Sequence, residues 1–234
     1  MDLLRNCFEE INIEYCNDQI DLFEKYYDLL ISWNSKINLT SIVDKNEVIK
    51  KHFVDSVVLM TFFDISNKSL LDVGTGAGFP GLPLKIMCPD CFITLLDSLN
   101  KRVSFLEAVI DSLKLSDINS VHARAEDAAH DPGFRGHFDF VVSRAVAGLN
   151  VLSEYCLPFV KNNGYFISYK SGNVDDEVTI ADNALNSLGG RIERIERFSL
   201  PHSDYERSLI FIKKSMDTPE RYPRKAGVPL KKPL

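Results

Sequence analysis

An excess of basic charge is missing from this chain. It has 27 lysines and arginines against 33 aspartates and glutamates, a net −6. That balance excludes broad, sequence-independent binding to nucleic acid, so any RNA contact has to be local. A long hydrophobic run is missing too, as is a basic–apolar–small leader pattern at the start. The expectation is a cytoplasmic protein with no membrane partner. Cysteine is sparse and odd in number: Cys7, Cys16, Cys88, Cys91 and Cys156. Only Cys88-Pro89-Asp90-Cys91 has C-x-x-C spacing, and zinc would want two further ligands at comparable spacing. A redox pair would open a helix, whereas this one closes a helix and precedes a strand. The thiols read as buried or incidental, and no metal is expected.

What is present centres on residues 70–81, Leu-Leu-Asp-Val-Gly-Thr-Gly-Ala-Gly-Phe-Pro-Gly. An apolar strand ends at Asp72-Val73. Gly74, Gly76 and Gly78 then let the backbone turn and approach a ligand without Cβ interference. Pro80 suits the first turn of a helix. This is the first nucleoside-binding corner of a doubly wound α/β sheet. Residues 76–81 also match the dinucleotide pattern G-x-G-x-x-G, with Asp97 placed for a ribose. The turn alone therefore fits either NAD or S-adenosylmethionine. Asp72 and Gly74 extend it to D-x-G-x-G-x-G, the wider methyltransferase pattern, and shift the balance to the methyl donor.

Charge and periodicity divide the chain into three segments. Residues 1–66 carry six basic and twelve acidic side chains and read as helical. Their stripes are Ile20, Phe23, Tyr27, Leu30 and Ile31, with Asn17 or Asp18 as cap, and Ile49, His52, Phe53, Ser56, Val57 and Met60. A helical extension this small must pack on the following domain, with Trp33 and Ile37 as anchors. His52 on such a stripe reads as a satisfied core or interface histidine. Residues 67–216 alternate strand and helix, with strands expected at 69–73, 91–97, 118–123, 138–143, 164–170, 191–198 and 208–213. No helix separates the last two, which makes a hairpin and a mostly parallel seven-stranded sheet with a reversed last strand. Residues 217–234 carry five basic and two acidic side chains with several prolines, and read as an extended tail, either solvated or lying on RNA.

Ligands of such sheets bind beyond the carboxyl ends of the strands. Here those ends hold Asp97-Ser98, Ala125-Glu126, Ser143-Arg144-Ala145 and Tyr169-Lys170. Asp97 suits ribose hydroxyls, and Ala125-Glu126 suits the adenosine side. The fourth strand end lacks the Asn/Asp-Pro-Pro-aromatic turn that methylation of an exocyclic amine uses. It also lacks the cysteine that methylation of a pyrimidine carbon needs. A ring nitrogen such as guanine N7 has an in-plane lone pair and no proton to remove. Proximity and alignment then suffice, and arginine suits the O6/N7 edge of guanine.

Taken together, Trp33-Asn34 with Ile37-Asn38-Leu39-Thr40, residues 52–56, residues 72–81, Ser143-Arg144-Ala145, Tyr169-Lys170 and residues 222–227 resemble the RsmG (GidB) family. The resemblance spans nearly the whole chain. It implies a Rossmann-like class I methyltransferase with an N-terminal helical extension (1–66), a core (67–216) and a basic tail (217–234). The implied activity is S-adenosylmethionine-dependent methylation of guanine N7 in 16S ribosomal RNA, free or within the small subunit, by a monomer. Gly74 and Phe79 match the family's cofactor-loop positions, Ala125 and Glu126 its adenosine side, and Arg144 its pocket arginine; Gly76, Gly78 and Asp97 complete the expected cofactor set. Arg144, Lys170, Arg224 and Lys225 are the expected RNA contacts, and no catalytic side chain is assigned. The competing readings are an NAD-dependent oxidoreductase and a non-catalytic RNA-binding protein on the same scaffold.

Overall fold

A computed structural model describes residues 1–144 and 146–234. Ala145 of the Ser143-Arg144-Ala145 triplet lies outside the described residues. The strands are β1 (Ser69–Val73), β2 (Phe92–Asp97), β3 (Ile118–His122), β4 (Phe138–Arg144), β5 (Val160–Ser171), β6 (Gly190–Ser199) and β7 (Glu206–Lys214). They form one seven-stranded sheet in the order β3-β2-β1-β4-β5-β7-β6. Strands β1 to β5 pair parallel, and β7 runs antiparallel to both β5 and β6. The reversed strand therefore sits inside the edge hairpin, as the missing crossover helix dictates. Successive strands are added on one side of β1 up to β3 and on its other side from β4 onward, and this reversal of strand order opens a crevice at the carboxyl ends of β1 and β4. Leu70, Leu71, Asp72 and Val73 of β1 are all buried, as a central parallel strand covered on both faces requires.

Each face of the sheet has its own core. One is shared with the N-terminal helices Asp2–Glu10 and Asn17–Ile37 and runs continuously from Leu4 through Phe53 and Leu106 to Phe211. The other packs helices Leu149–Cys156 and Asp175–Leu188 on Leu71, Val141 and Ile210. Residues 1–66 thus complete one face of the sheet.

The helix Asn17–Ile37 shows how this extension is fixed. Its cap is Cys16, not Asn17 or Asp18: the Cys16 N–H donates to Gln19 Oε1 at 2.9 Å. Gln19 Nε2 in turn donates to the Ile86 carbonyl at 3.1 Å, so one side chain both caps the helix and docks it. Tyr26, rather than the expected Tyr27, is fully buried, and its hydroxyl donates to the carbonyl of Ala77 in the glycine turn. Trp33 packs edge-on against Phe105, 5.7 Å between ring centroids. The helix ends at Asn38 in the left-handed region (φ +48°), where Asn34 Oδ1 accepts the N–H groups of Leu39 (2.6 Å) and Thr40 (2.8 Å). This local hydrogen bonding explains why the Trp-Asn…Ile-Asn-Leu-Thr stretch is polar between apolar anchors.

After the helix Lys45–Val48 the chain widens into a π-helical stretch, Ile49–Val54, and tightens again through Asp55–Val57. Such widening inside a helix commonly accompanies a functional site. The C-terminal segment departs from the expected extended tail. It contains the short helix Val228–Lys231, with Pro229 in its first turn, and lies against the body of the protein. Among the described residues, no helix is long and apolar enough to cross a membrane.

Candidate functional site

Two cavities flank the crevice at the carboxyl edge of the sheet, one on each side, and a third of about 380 Å³ lies farther out at the ends of β5 and β6. The first has a volume of about 220 Å³ and is bounded by Gly74, Asp97, Glu126, Val146 and Leu230. Its floor is apolar, from Val73, Leu96 and Ala123. Gly74 has φ +71°, and a Cβ there would lie 2.7 Å from Val146 Cγ2. This backbone edge can be approached only because the side chain is absent. Asp97 is 2 % exposed. Its carboxylate accepts the N–H groups of Gly76 and Leu99, each at 2.9 Å, which ties the glycine turn to the end of β2. Asp72 is fully buried and anchors the same turn by accepting from the Thr75 hydroxyl (2.6 Å) and the Gly81 N–H (2.8 Å). Burial pushes its carboxyl up to about 6, against the opposing pull of those hydrogen bonds, and its Oδ1 has no partner among the described residues.

The glycines of the turn have separate tasks. Gly74 lines the cavity, and Gly76, at φ +63°, turns the chain and donates to Asp97. Gly78 faces inward: a Cβ would sit 2.2 Å from Leu82 Cδ1 and 2.9 Å from the Tyr26 hydroxyl. What its glycine relieves is packing. Phe79 is likewise buried, between His52 and Tyr26, and lines neither cavity. Asp97, Ala125 and Glu126 line the first cavity together with Gly74, as their strand-end positions imply.

The second cavity, about 240 Å³, is bounded by Ile42, Lys51, His52, Asp55, Arg144, Tyr169, Lys170 and Arg207. Arg144 is therefore placed here and not in the first cavity. Buried Asp55 organises the wall: one oxygen accepts from Arg144 Nη1 at 2.9 Å and the other from Arg207 Nε at 3.0 Å. The Arg144 guanidinium lies 5.0 Å from the Phe79 ring centroid, and the His52 imidazole stacks on that ring at 4.5 Å and 22°. His52 Nε2 meets the Thr40 hydroxyl at 3.0 Å. Burial, and then the Arg144 charge, holds His52 down to about 3, so it is neutral near pH 7. This histidine is satisfied, as its apolar stripe implies, but it also walls a cavity. Lys170 is paired with Glu177 at 2.5 Å and donates to the Ala147 carbonyl at 2.9 Å.

Sequence reasoning placed Tyr169 and Lys170 at a ligand-facing strand end but missed Lys51, Asp55 and Arg207 as cavity residues. The available signal was the pair His52 and Asp55 on one helical stripe; the arginines that meet them are remote in sequence. Of the two tail cations expected on RNA, Arg224 is held by the protein itself. It grips buried Glu154 through Nε (2.9 Å) and Nη2 (2.6 Å). Lys225 is exposed. Cys88 and Cys91 are buried free thiols, and burial pushes Cys91 up to about 12, which suits inert packing.

A parallel sheet of this order with an inserted reversed strand, and a glycine turn plus a carboxylate at the ends of β1 and β2, define the class I methyltransferase fold. Solved structures agree at the level of fold. A precorrin-6y C5,15-methyltransferase from Geobacter metallireducens superposes with TM-score 0.53 at 15% identity, over 75% of this chain and 92% of that one. TYW2 from M. jannaschii in complex with AdoMet gives TM-score 0.56 at 13% identity, over 70% and 76%.

Sequence comparison is more specific. Residues 19–209 match the family model of GidB, rRNA small subunit methyltransferase G. The chain is 55% identical to the ribosomal RNA small subunit methyltransferase G of Lachnoclostridium phytofermentans over 92% of this chain and 90% of that one. It is 50% identical to the protein of the same name from Desulforamulus reducens, over 99% and 97%. The chain belongs to the rRNA small subunit methyltransferase G family. It is an rRNA methyltransferase whose methyl donor is S-adenosylmethionine. The first cavity joins a buried carboxylate at Asp97, an apolar floor and a glycine edge open to close approach.

Proposed function

We propose that this protein methylates N7 of a guanine in 16S ribosomal RNA. The observation that carries this reading is the pairing of a cavity at the glycine turn with a second, arginine- and lysine-lined cavity on the other side of the crevice. The first cavity, through Gly74, Asp97, Ala125 and Glu126, holds the donor; Gly76 and Gly78 shape the turn, and Phe79 at its end packs against His52 and Arg144. Arg144 and Lys170 face the RNA side with Lys51 and Arg207, and Lys225 extends the positive charge along the tail. S-adenosylmethionine supplies an electrophilic methyl group on a sulfonium sulfur. Guanine N7 brings an in-plane lone pair and no proton, so no side chain has to act as a base. What the protein contributes is alignment of the two reactants and exclusion of water. Neutral His52 is consistent with this, since it packs and orients Arg144 instead of carrying charge.

Both cavities are built within one chain, which supports action as a monomer, and the substrate is 16S RNA, free or within the small subunit. The test is methyl transfer from labelled donor to unmethylated 16S RNA and to small subunits, followed by mapping of the base. Label on guanine N7 is the expected result. Label on a base carbon or an exocyclic amine would overturn the reading, and protection from thermal unfolding by NAD alone would restore the oxidoreductase.

A further inference from the structure

The C-terminal segment is fastened beside the donor cavity, chiefly by side chains that do not line it. Glu154 is fully buried, and its partners come from the tail: the Arg224 backbone N–H at 2.7 Å and the guanidinium at 2.6 Å. Arg135 donates to the carbonyls of Thr218 and Tyr222, each at 2.8 Å, and His130 Nε2 meets the Pro223 carbonyl at 2.8 Å. Glu126, at the cavity mouth, accepts the Gly227 N–H at 3.0 Å. A Cβ at Gly227 would meet nothing within 4 Å, so its φ of +78° is what calls for glycine. That turn delivers Leu230 to the cavity.

Leu230 is 64 % exposed, and Val146, which lines the same cavity, is 43 % exposed. They are two of the seven large hydrophobic side chains exposed among the described residues. Apolar side chains left open on a nucleoside cavity are suited to cover a planar ligand. We infer that residues 222–230 form a wall of the donor site, that Leu230 packs against the adenosine part of S-adenosylmethionine, and that Glu154–Arg224 is the positioning pair that holds this wall. The inference rests on the donor assignment. It gives Glu126 the work of holding the tail through its carboxylate.

The test is calorimetric titration of the full-length protein with S-adenosylmethionine and with S-adenosylhomocysteine, without RNA. Leu230→Ala, at an exposed position that cannot threaten the fold, should weaken both ligands about five- to tenfold, while the equally exposed Ile180→Ala should leave them unchanged. Arg224→Ala should weaken both ligands more, and the double variant Glu154→Gln, Arg224→Gln should recover part of the loss by restoring a neutral hydrogen-bonded pair. Wild-type affinity in Leu230→Ala would overturn the proposal. Failure of the wild-type protein to bind either ligand would overturn the donor assignment beneath it.

Discussion

The two cavities differ in what they are made of. On the donor side, position is set largely by main chain: a turn at Gly74 and Gly76, hydrogen-bonded by Asp72 and Asp97, and the backbone of Ala125-Glu126. The second cavity, the proposed acceptor side, is built from side chains that four separate parts of the chain bring together, at 42–55, 144, 169–171 and 207. The first is bordered by Asp97, Glu126 and Arg124, and the second by Lys51, Arg144, Lys170 and Arg207 arranged round Asp55. A main-chain site tolerates little change at its glycines. A side-chain site depends on the charge balance that holds its arms in place.

Breaking the donor side should have the largest effect. Gly74→Asp puts a side chain at φ +71° and against Val146, and affinity for S-adenosylmethionine should fall on the order of 100-fold or more by calorimetry. RNA binding should survive, because the cationic cavity is untouched. Unchanged donor affinity would remove this glycine from the site.

Breaking the acceptor side should show first as stability. Asp55→Ala strands two guanidinium groups that share one buried carboxylate, and removing one partner of a buried ion pair costs about 3–5 kcal/mol. A drop in Tm with donor affinity retained by the folded fraction is expected in denaturation and binding measurements. An unaltered Tm would mean that Arg144 and Arg207 hold their places without Asp55.

A pH series sharpens the comparison, since His52 in the second cavity and Asp72 beneath the glycine turn are displaced in opposite senses in the acid range. His52 is lowered from 6.5 to about 3 by burial and then by Arg144, so the unfolded chain binds its proton more tightly. Its contribution to stability is fully present above about pH 6.5 and is lost as pH falls toward 3, by a few kcal/mol at most. Asp72 is raised from 3.8 to about 6, chiefly by burial, so the native state binds its proton more tightly. Its contribution is present below about pH 3.8 and is lost as pH rises through 6. Denaturant unfolding at a series of pH values should therefore show a flatter rise of stability with pH, between about 4 and 6, in His52→Gln. Asp72→Asn should show a steeper one. Identical slopes in both variants would contradict the opposed environments.

The smallest effect is expected at the rim. Lys51 pairs with Glu47 at 2.7 Å and lies over the Tyr205 ring at 4.1 Å, close to the second cavity. Lys51→Ala should reduce the magnitude of the salt slope of RNA binding by about 0.7–0.9 and leave donor affinity alone. A slope equal to that of the wild-type protein would keep this lysine off the RNA.

The sequence by itself determined the sheet, the reversed strand and the donor turn. Each of these follows from local pattern: alternating apolar runs and helical stripes, a missing crossover, and glycines at alternate positions after Asp72. Gly74, Asp97 and Glu126 could be placed because they stand at strand ends, where the fold itself brings them to one edge. Tertiary structure alone decided the rest. Asp55 meets Arg144 and Arg207 across 89 and 152 residues, and Arg224 meets Glu154 across 70, with no local pattern to announce either pairing. Composition also misread the tail. Basic charge and prolines describe an extended arm equally well in solvent, on RNA or against the protein, until a buried carboxylate selects one of them. Local periodicity reports what a segment does with its own backbone. Which distant charge neutralises a buried group depends on the packing of the whole chain.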